Sequence, residues 1–446
     1  WKQGEAVEPF WWDVYNWFVT HAHWRVPTEQ VLSSLFYTNE AQSIGEERSR
    51  ELYGKTMLAS VSRMERFQAC SFSHFAAYGL RLRERETYRL EAPDIGQLFH
   101  AALKEMGERL HHEKKDWADL ARDDCRRLAR EVVRDLAPLV QKEILFSSHR
   151  HQYLKQKLEE VVIRAAFALS KQAKASSFVP VGLEVGFGPG AELPALRFTL
   201  NNGSEMALVG RIDRVDKADG ENGPLLRIID YKSSEKDIRL ADVYFGLSLQ
   251  LLLYLDIVIS FAEEWLGRQA SPAGALYFHV HNPIVEASRQ MSMEEIEAEL
   301  FKKFKMKGLL TADEESVRLM DATLSSGHSH IVPVGLKKNG GFYAHSAVIA
   351  KNDLDILRFY LRRLVKQIGE AMVSGSVEIN PYKLKQRTPC TYCPYRPVCQ
   401  FDPTLETNAY RLLHEEKDDV ILEKIRRKSG EQDEHKTETR RQHMDG

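Results

Sequence analysis

The chain changes its pattern of hydrophobic and polar positions twice, from helical to strand-like and back. Large apolar residues recur at helical spacing over residues 1–50 and again over 60–175. From about residue 179, short apolar runs alternate with Gly-, Asn- and Asp-rich turns, which is typical of consecutive strands. A helical pattern returns at 246–266, and GALYFHVH predicts one more strand. This order favours an α/β fold, with a mixed sheet flanked by helices.

The same pattern divides the chain into parts. The predicted parts are a helical leader at 1–55, a main domain at 56–410 and a charged tail at 411–446. The leader is rich in Trp and Phe and begins with Trp1 rather than Met, so we expect it to belong to an upstream domain. Within the main domain we predict a core at about 95–285, a helical insertion at about 290–330 and a cysteine-bearing loop at 385–402. The composition of the tail predicts disorder at its end.

Composition and charge limit the broad class. The chain has 446 residues, of which 43% are hydrophobic and 28% charged, as in soluble globular proteins. No run of eighteen apolar residues is present, so no membrane span is predicted. The net charge of −2 neither favours nor excludes a nucleic-acid partner, because a basic groove can lie within a neutral total. Five cysteines are an odd number for a disulfide framework, and we expect a reduced, cytoplasmic protein.

One stretch, GRIDRVDKADGENGPLLRIIDYKSS at 210–234, carries candidate chemistry. Alternate residues of a strand share a face, which places Asp230 and Lys232 together on the second apolar run. On the first run, the same alternation gives one face to Ala207, Val209, Arg211 and Asp213. If the two runs pair as a hairpin, Asp213 and Asp230 approach each other. Two close carboxylates repel unless a cation neutralises them, and Mg²⁺ prefers such oxygen ligands.

Two interpretations of this stretch remain open on its residues alone. Asp213 and Asp230 with a divalent ion would suit phosphodiester hydrolysis, with Lys232 positioning the attacking water and stabilising the transition state. The alternative is a surface hairpin with an ordinary salt bridge, because an Asp-x-Lys pattern is short and common.

The motifs GRIDRVD and IIDYKSS resemble the signature of the PD-(D/E)XK nuclease superfamily, in its RecB-like branch. Further motifs of that branch occur in the same order: His100 in GQLFHAAL, Glu184 in VGLEVGFG, and the Q-x-x-x-Y element of LQLLLYLDI. The resemblance implies a divalent-metal site, with Mg²⁺ or Mn²⁺ held by His100, Asp213, Asp230 and the Tyr231 backbone carbonyl. It implies that Lys232 is the catalytic lysine and that Gln250 and Tyr254 orient DNA or the lysine. Glu184 is assigned to the catalytic group, with a salt bridge in a strand as its alternative.

The cysteines form a second constellation. Cys390, Cys393 and Cys399 lie in one proline-rich loop, and Cys70 is the best candidate for a fourth ligand. Four thiolates suit Zn²⁺ or an iron–sulfur cluster. The arrangement resembles that of AddB-type nucleases, which implies one [4Fe–4S] cluster that joins the two ends of the nuclease domain. Cys125, in a charged helical stretch, is interpreted as a small side chain without a ligand role.

The resemblance also implies a setting. It predicts an exodeoxyribonuclease that cuts one unwound DNA strand and forms a heterodimer with an AddA-type helicase–nuclease subunit during processing of double-strand breaks. The chain itself has no ATP-binding G-x-x-x-x-G-K-[ST] loop. Two alternatives are a free-standing iron–sulfur exonuclease and an inactive nuclease fold that binds single-stranded DNA.

Overall fold

A computed structural model describes residues 7–34, 36–85, 87–286 and 289–429. The strands are β1 (Thr56–Ala59), β2 (Val179–Phe187), β3 (Leu196–Thr199), β4 (Glu205–Leu208), β5 (Gly210–Gly220), β6 (Gly223–Lys232), β7 (Ser271–His279), β8 (Lys307–Thr311), β9 (Gly327–His328), β10 (Gly335–Leu336), β11 (Val348–Ile349), β12 (Tyr382–Leu384) and β13 (Arg411–Leu413). The helices are α1 (Pro9–Thr20), α2 (Ala22–Ser34), α3 (Gly45–Tyr53), α4 (Val61–Ala69), α5 (Ser71–His74), α6 (Ala92–His112), α7 (Arg122–Leu136), α8 (His149–Lys174), α9 (Leu240–Tyr244), α10 (Gln250–Ser260), α11 (Ala262–Leu266), α12 (Met293–Lys303), α13 (Glu314–Met320), α14 (Lys351–Val373) and α15 (Arg396–Cys399).

The centre of the fold is a six-stranded sheet in the order β11-β8-β7-β6-β5-β2. Strands β6 and β7 run parallel, as do β8 and β11, and the other neighbours run antiparallel. The predicted mixed sheet is confirmed. The parallel pair β6–β7 is joined by a crossover that contains α9, α10 and α11, as parallel neighbours require.

Helices cover both faces of this sheet. On one face, apolar side chains of α6, α7 and α8 form a core with Ile229 and Tyr231 of β6. On the other face, side chains of α4, α10 and α14 form a second core with Leu226 and Ile228 of the same strand. The alternation along β6 therefore serves two buried faces, which is why apolar residues follow one another at Leu225 and Leu226 and again at Ile228 and Ile229.

The strand that was expected to carry Ala207, Val209, Arg211 and Asp213 on one face is interrupted, so that prediction is wrong. β4 belongs to a separate three-stranded sheet, β1-β4-β3, whereas β5 belongs to the central sheet. The chain passes between the sheets at Val209, whose N–H donates to Ala59 O at 3.0 Å. Gly210 begins β5, where an added Cβ would lie 2.6 Å from the Phe187 ring. Ala207 and Asp213 therefore lie on different strands.

The segment 290–330 is only partly helical, which corrects the predicted helical insertion. Helices α12 and α13 occur there, but β8 lies between them and pairs antiparallel with β7 inside the central sheet. Gly308 allows this close approach, because it has φ +142° and an added Cβ would lie 2.2 Å from Ala275 O. The segment is thus part of the sheet, which extends beyond the predicted core boundary at 285.

Both termini are partly helical where they are described. The leader is helical in α1, α2 and α3, and large side chains such as Trp11 and Trp24 are exposed. The tail begins with β13, which pairs with β12, and residues 418–429 are helical with Ile421 and Ile425 buried. The first part of the charged tail is therefore packed. The disorder predicted for its end concerns 430–446, which lie outside the described residues.

Helix α14 secures α10 from the outer side of the sheet. Asp256 of α10 is fully buried and forms ion pairs of 2.7 Å with Arg358 and with Arg362 of α14. The helix ends at Val373, and Gly375 follows with φ +84°, a left-handed conformation typical of a helix end. Over the described residues, no helix combines the length and the apolar composition that crossing a bilayer requires.

Candidate metal and catalytic site

The predicted hairpin exists and brings the two aspartates to one place. β5 and β6 pair antiparallel from Gly220 and Gly223 at the turn to Arg214 and Ile229. Asp213 and Asp230 are the next positions on the two strands. Here the regular ladder stops, and Asp213 Oδ2 instead accepts a 2.8 Å hydrogen bond from the Tyr231 N–H.

Glu184 lies beside Asp213 on the neighbouring strand β2. Leu183 pairs with Arg214 and Val185 with Ile212, so the register puts Glu184 level with Asp213. Its φ of +52° is unusual for a residue with a side chain and interrupts the regular strand at this point. The carboxylate also lies 3.5 Å from the Arg211 guanidinium. Both interpretations of Glu184 therefore describe real contacts, one to the acidic site and one to an arginine.

His100 reaches the site from helix α6, whose apolar stripe is buried and consists of Phe99, Ala102, Leu103, Met106 and Leu110. The His100 Nδ1 atom lies 3.2 Å from Asp213 Oδ2, and the ring meets Tyr231 edge-on at 6.0 Å between centroids. Among the described residues, one group of potential metal ligands stands out. One ligand atom each of His100, Glu184 and Asp213 lies within 4.8 Å of the others.

Asp230 contacts two side chains on the α10 side of the sheet, Lys232 and Gln250. A third side chain, Tyr254, contacts Gln250. Its Oδ2 atom forms a 2.5 Å ion pair with Lys232 Nζ, and its Oδ1 atom accepts a 3.2 Å hydrogen bond from Gln250 Nε2. The same Gln250 amide lies 3.4 Å from the Tyr254 hydroxyl, as expected for residues one helical turn apart. Tyr254 is buried and packs on Phe187, so it contacts Gln250 from within the core.

Without a bound cation, the negative charges of the acidic cluster repel one another. Burial, and then the charge of Asp213, raise the pKa of Asp230 to about 6 in spite of Lys232. Burial and the same Asp213 charge also raise the pKa of Glu184. Burial lowers the pKa of His100, but the hydrogen bond to Asp213 and the Asp213 charge outweigh it and raise that pKa overall. A divalent cation would relieve this repulsion.

We expect Asp230→Asn to stabilise the metal-free protein. Because folding raises the Asp230 pKa from 3.8 to about 6, the folded state binds the proton more tightly. Stability of the wild type therefore falls as pH rises through 4–6, by up to about 3 kcal/mol. Denaturant unfolding in a chelator should show the variant to be more stable at pH 7 and equal to the wild type near pH 4.

Asp216 offers a matched control for this measurement. It is also buried on this hairpin, but Arg214 and Arg227 contact it at 2.6 and 2.9 Å. Asp216→Asn leaves two buried guanidinium groups without their counter-charge, so it should destabilise by about 3–5 kcal/mol. Equal destabilisation by both asparagine variants at pH 7 would contradict the electrostatic account of Asp230.

The donor set fits a hard divalent ion. Two carboxylates and one imidazole offer oxygen and nitrogen ligands, which suit Mg²⁺ or Mn²⁺ better than a sulfur-preferring metal. Sequence reasoning missed a further group, Glu65 of α4, whose carboxylate accepts from the N–H groups of Leu249 and Gln250. Only its position on the Ser60-capped helix of SVSRMERF could have drawn attention to it.

The four predicted cluster cysteines converge. Cys70, Cys390, Cys393 and Cys399 line one pocket together with Phe72, Pro389, Tyr395 and Phe401, and all four thiols are free. Burial raises the pKa of the Cys70 thiol to about 11, and a metal would favour the thiolate. This all-sulfur, apolar pocket suits an iron–sulfur cluster or zinc. Cys125 is buried in α7 instead, among the core side chains of that face.

Hydrogen bonds already join the two chain segments that carry these cysteines. The Ser71 N–H donates to Asn380 Oδ1 and the Phe72 N–H donates to Glu378 O, both at 2.9 Å. The Arg411 guanidinium donates to Gln68 O at the end of α4. The start and the end of the nuclease-like domain are therefore connected independently of any cluster.

Comparison with known families agrees with this geometry. Residues 58–400 match the model of the PD-(D/E)XK nuclease superfamily, and residues 1–34 match the model of the ATP-dependent helicase/deoxyribonuclease AddB fifth domain. The first match spans every residue of the acidic site and all four cysteines of the pocket. The second assigns the leader to a different domain type from the rest of the chain.

Several curated relatives are similar over nearly the whole chain. The AddB subunit of the ATP-dependent helicase/deoxyribonuclease of Bacillus licheniformis is 54% identical over 427 residues, which is 96% of this chain and 36% of the relative. Those of Bacillus subtilis and Geobacillus kaustophilus are each 51% identical, over 96% and 95% of this chain and 37% of each relative. The chain thus spans little more than a third of the length of these relatives. By the family match over most of its length and the site that it contains, the chain belongs to the PD-(D/E)XK nuclease superfamily, in its AddB type.

Proposed function

We propose that this domain is a Mg²⁺- or Mn²⁺-dependent deoxyribonuclease that cuts single-stranded DNA. One observation carries the proposal. Three neighbouring strands, β2, β5 and β6, place Glu184, Asp213 and Asp230 at one level, with His100 opposite and its Nδ1 atom 3.2 Å from Asp213. Such a concentration of buried negative charge favours a divalent cation, and phosphodiester hydrolysis needs one at this kind of site.

The residues divide into ligands and positioning groups. His100, Asp213 and Glu184 would hold the ion, and Asp230 would add a further carboxylate beside them. A bound Mg²⁺ or Mn²⁺ ion would polarise a phosphoryl oxygen and lower the pKa of the attacking water. Gln250 keeps the Asp230 carboxylate oriented through its 3.2 Å hydrogen bond, and Tyr254 supports the Gln250 amide from the core.

The Tyr231 carbonyl is a further ligand in this proposal. The Tyr231 N–H points into the gap between β5 and β6, where it donates to Asp213. In a strand, the N–H and C=O groups of one residue point towards the same neighbouring strand. The Tyr231 carbonyl therefore faces the gap that Asp213 and His100 line.

Lys232 is the catalytic lysine in this proposal. Its ammonium group is anchored by Asp230 at 2.5 Å and is partly exposed. From this place it can hold the attacking water and stabilise the negative charge that develops on the phosphoryl oxygens. The ion pair holds the ammonium beside the Asp230 carboxylate.

We further propose that Cys70, Cys390, Cys393 and Cys399 hold one [4Fe–4S] cluster with a structural role. The convergence of four free thiols in an apolar pocket supports it. Three of the thiols come from one short loop and the fourth follows helix α4, so the cluster would reinforce the connection of the two ends of the domain.

The setting of the activity is proposed from the relatives. AddB subunits of ATP-dependent helicase/deoxyribonucleases are 50–54% identical to this chain. We propose that the chain acts in a cytoplasmic bacterial helicase–nuclease with an AddA-type partner subunit, and cuts one strand of the unwound duplex during processing of double-strand breaks. The partner would supply the ATP-driven unwinding.

The test is cleavage of labelled single-stranded DNA by the full-length subunit, alone and with its partner. We expect Mg²⁺-dependent products from the wild type and none from Asp230→Ala. Wild-type protein that binds the strand but produces no cut in either state would overturn the proposal and favour a DNA-binding module with a nuclease fold.

A further inference from the structure

A carboxylate of helix α4 contacts the start of α10. The Glu65 Oε1 atom accepts hydrogen bonds from the Leu249 N–H at 2.6 Å and the Gln250 N–H at 3.0 Å. These two N–H groups belong to the first residues of α10, where the helix supplies no partner of its own. A carboxylate there also interacts favourably with the positive end of the helix dipole. Glu65 thus caps α10 from another helix.

A second contact shows how closely α4 lies against the same loop. Gly246 has φ +74°, and an added Cβ would lie 2.8 Å from Gln68 Cγ. Gln68 is three residues after Glu65 and so lies on the same face of α4. The loop before α10 is therefore held against α4 at two points, of which Glu65 is the polar one.

The residue that Glu65 caps is the one that touches the acidic site. Gln250 uses its N–H for Glu65 and its side-chain amide for Asp230. The position of the Gln250 backbone therefore determines how its amide meets the Asp230 carboxylate. Burial raises the pKa of Glu65, and the charges of Lys236 and Lys232 oppose this shift without cancelling it.

We infer that Glu65 is a positioning residue of the nuclease site, which fixes the start of α10 so that Gln250 orients Asp230. The inference rests on the proposed nuclease function. It also gives α4 a role beyond packing. This helix ends at Ala69, and Cys70 follows directly, so the first of the four pocket cysteines is adjacent to the helix that carries Glu65. The helix connects the cysteine pocket to the start of α10.

The experiment compares Glu65→Ala and Glu65→Gln in the full-length subunit with its partner. Misplacing Gln250 should lower kcat of Glu65→Ala about 100-fold, with KM for single-stranded DNA unchanged. The glutamine variant keeps an oxygen that can accept both hydrogen bonds, so it should lose no more than about tenfold. Hydrogen exchange in the peptide 246–254 should be faster in Glu65→Ala and near wild type in Glu65→Gln.

Asp313→Ala is the matched control. Asp313 caps α13 by accepting from the Ser316 N–H at 2.9 Å, on a helix that contributes no residue to the site. Removing this cap should lower the stability of the protein slightly, while kcat and exchange at 246–254 stay unchanged. The visible absorbance of the cluster should be the same in all these variants, which separates a positioning defect from loss of the cysteine pocket.

The possible outcomes distinguish the two claims. Two outcomes would show that the inference about Glu65 is wrong while the nuclease proposal stands. In the first, the wild type cuts DNA and Glu65→Ala has the same kcat. In the second, the wild type cuts DNA, both Glu65 variants lose activity to the same extent, and their KM changes as well. If the wild type does not cut, the nuclease proposal fails. In that case, unchanged exchange at 246–254 in Glu65→Ala would also overturn the capping role.

Discussion

Lys232→Met is expected to lower the rate of DNA cleavage by about 10²–10³-fold while leaving Mn²⁺ binding intact or stronger. The ammonium lies 2.5 Å from Asp230 Oδ2. A divalent ion that binds this carboxylate would therefore have to compete with the ammonium. In the proposed mechanism, removing the ammonium takes away a group that stabilises the transition state. It also removes the competing cation. Single-turnover cleavage and calorimetric Mn²⁺ titration measure the two effects separately.

The control for this prediction is Lys217→Met on the same hairpin. Lys217 pairs with Leu226 towards the turn end of β5, and its ammonium contacts Asp219 at 3.3 Å. This change should alter neither cleavage nor metal affinity. A Lys232→Met protein that loses Mn²⁺ binding together with activity would show that Lys232 maintains the metal site, and the assignment of a catalytic role would be wrong.

Cys393→Ala is expected to abolish the visible absorbance of an iron–sulfur cluster and to lower the free energy of unfolding by about 2–5 kcal/mol, as removal of a native long-range cross-link does. The reason is that Cys70 and the 390–399 loop are far apart in sequence, so a cluster between them closes a long loop. The measurement is iron content and absorbance, together with denaturant unfolding.

Cys125→Ala provides the comparison for the cysteine pocket. Cys125 is fully buried in α7 and contributes to the core between helices. This variant should keep its iron and lose only about 1 kcal/mol, for the small cavity that it leaves. Zinc in place of iron in the purified wild type, or a Cys393→Ala protein with full stability, would contradict the cluster proposal.

The parts of the site that lie close together in sequence could be predicted from the sequence. The hairpin of β5 and β6 follows from two apolar runs around a Gly- and Asp-rich turn, and it brings Asp213 near Asp230. The His100 helix follows from its apolar stripe, and Gln250 and Tyr254 follow from their spacing of four. Each of these depends on local periodicity, which is visible in one sequence.

The rest depends on partners that are distant in the chain. The break at Val209 exists because β4 pairs with β1, which lies far earlier in the sequence, and the pattern of apolar residues continues across it. β8 has only five residues between two helices and is a strand because β7 offers a free edge. The left-handed conformation of Glu184 and the capping by Glu65 arise from contacts between separate elements, so neither has a local signature.

The ion pairs of Asp256 with Arg358 and Arg362 imply an order in which α10 and α14 pack during synthesis of the chain. A growing chain presents its N-terminal elements first, and the strands of the acidic site emerge well before α14. Until Arg358 and Arg362 are made, docking α10 on the sheet would bury Asp256 without a counter-charge, at a cost of several kcal/mol. During this time the nascent polypeptide contains Asp213, Asp230 and Lys232, but Gln250 does not yet contact Asp230. The acidic site therefore reaches its described geometry only after α14 has been made.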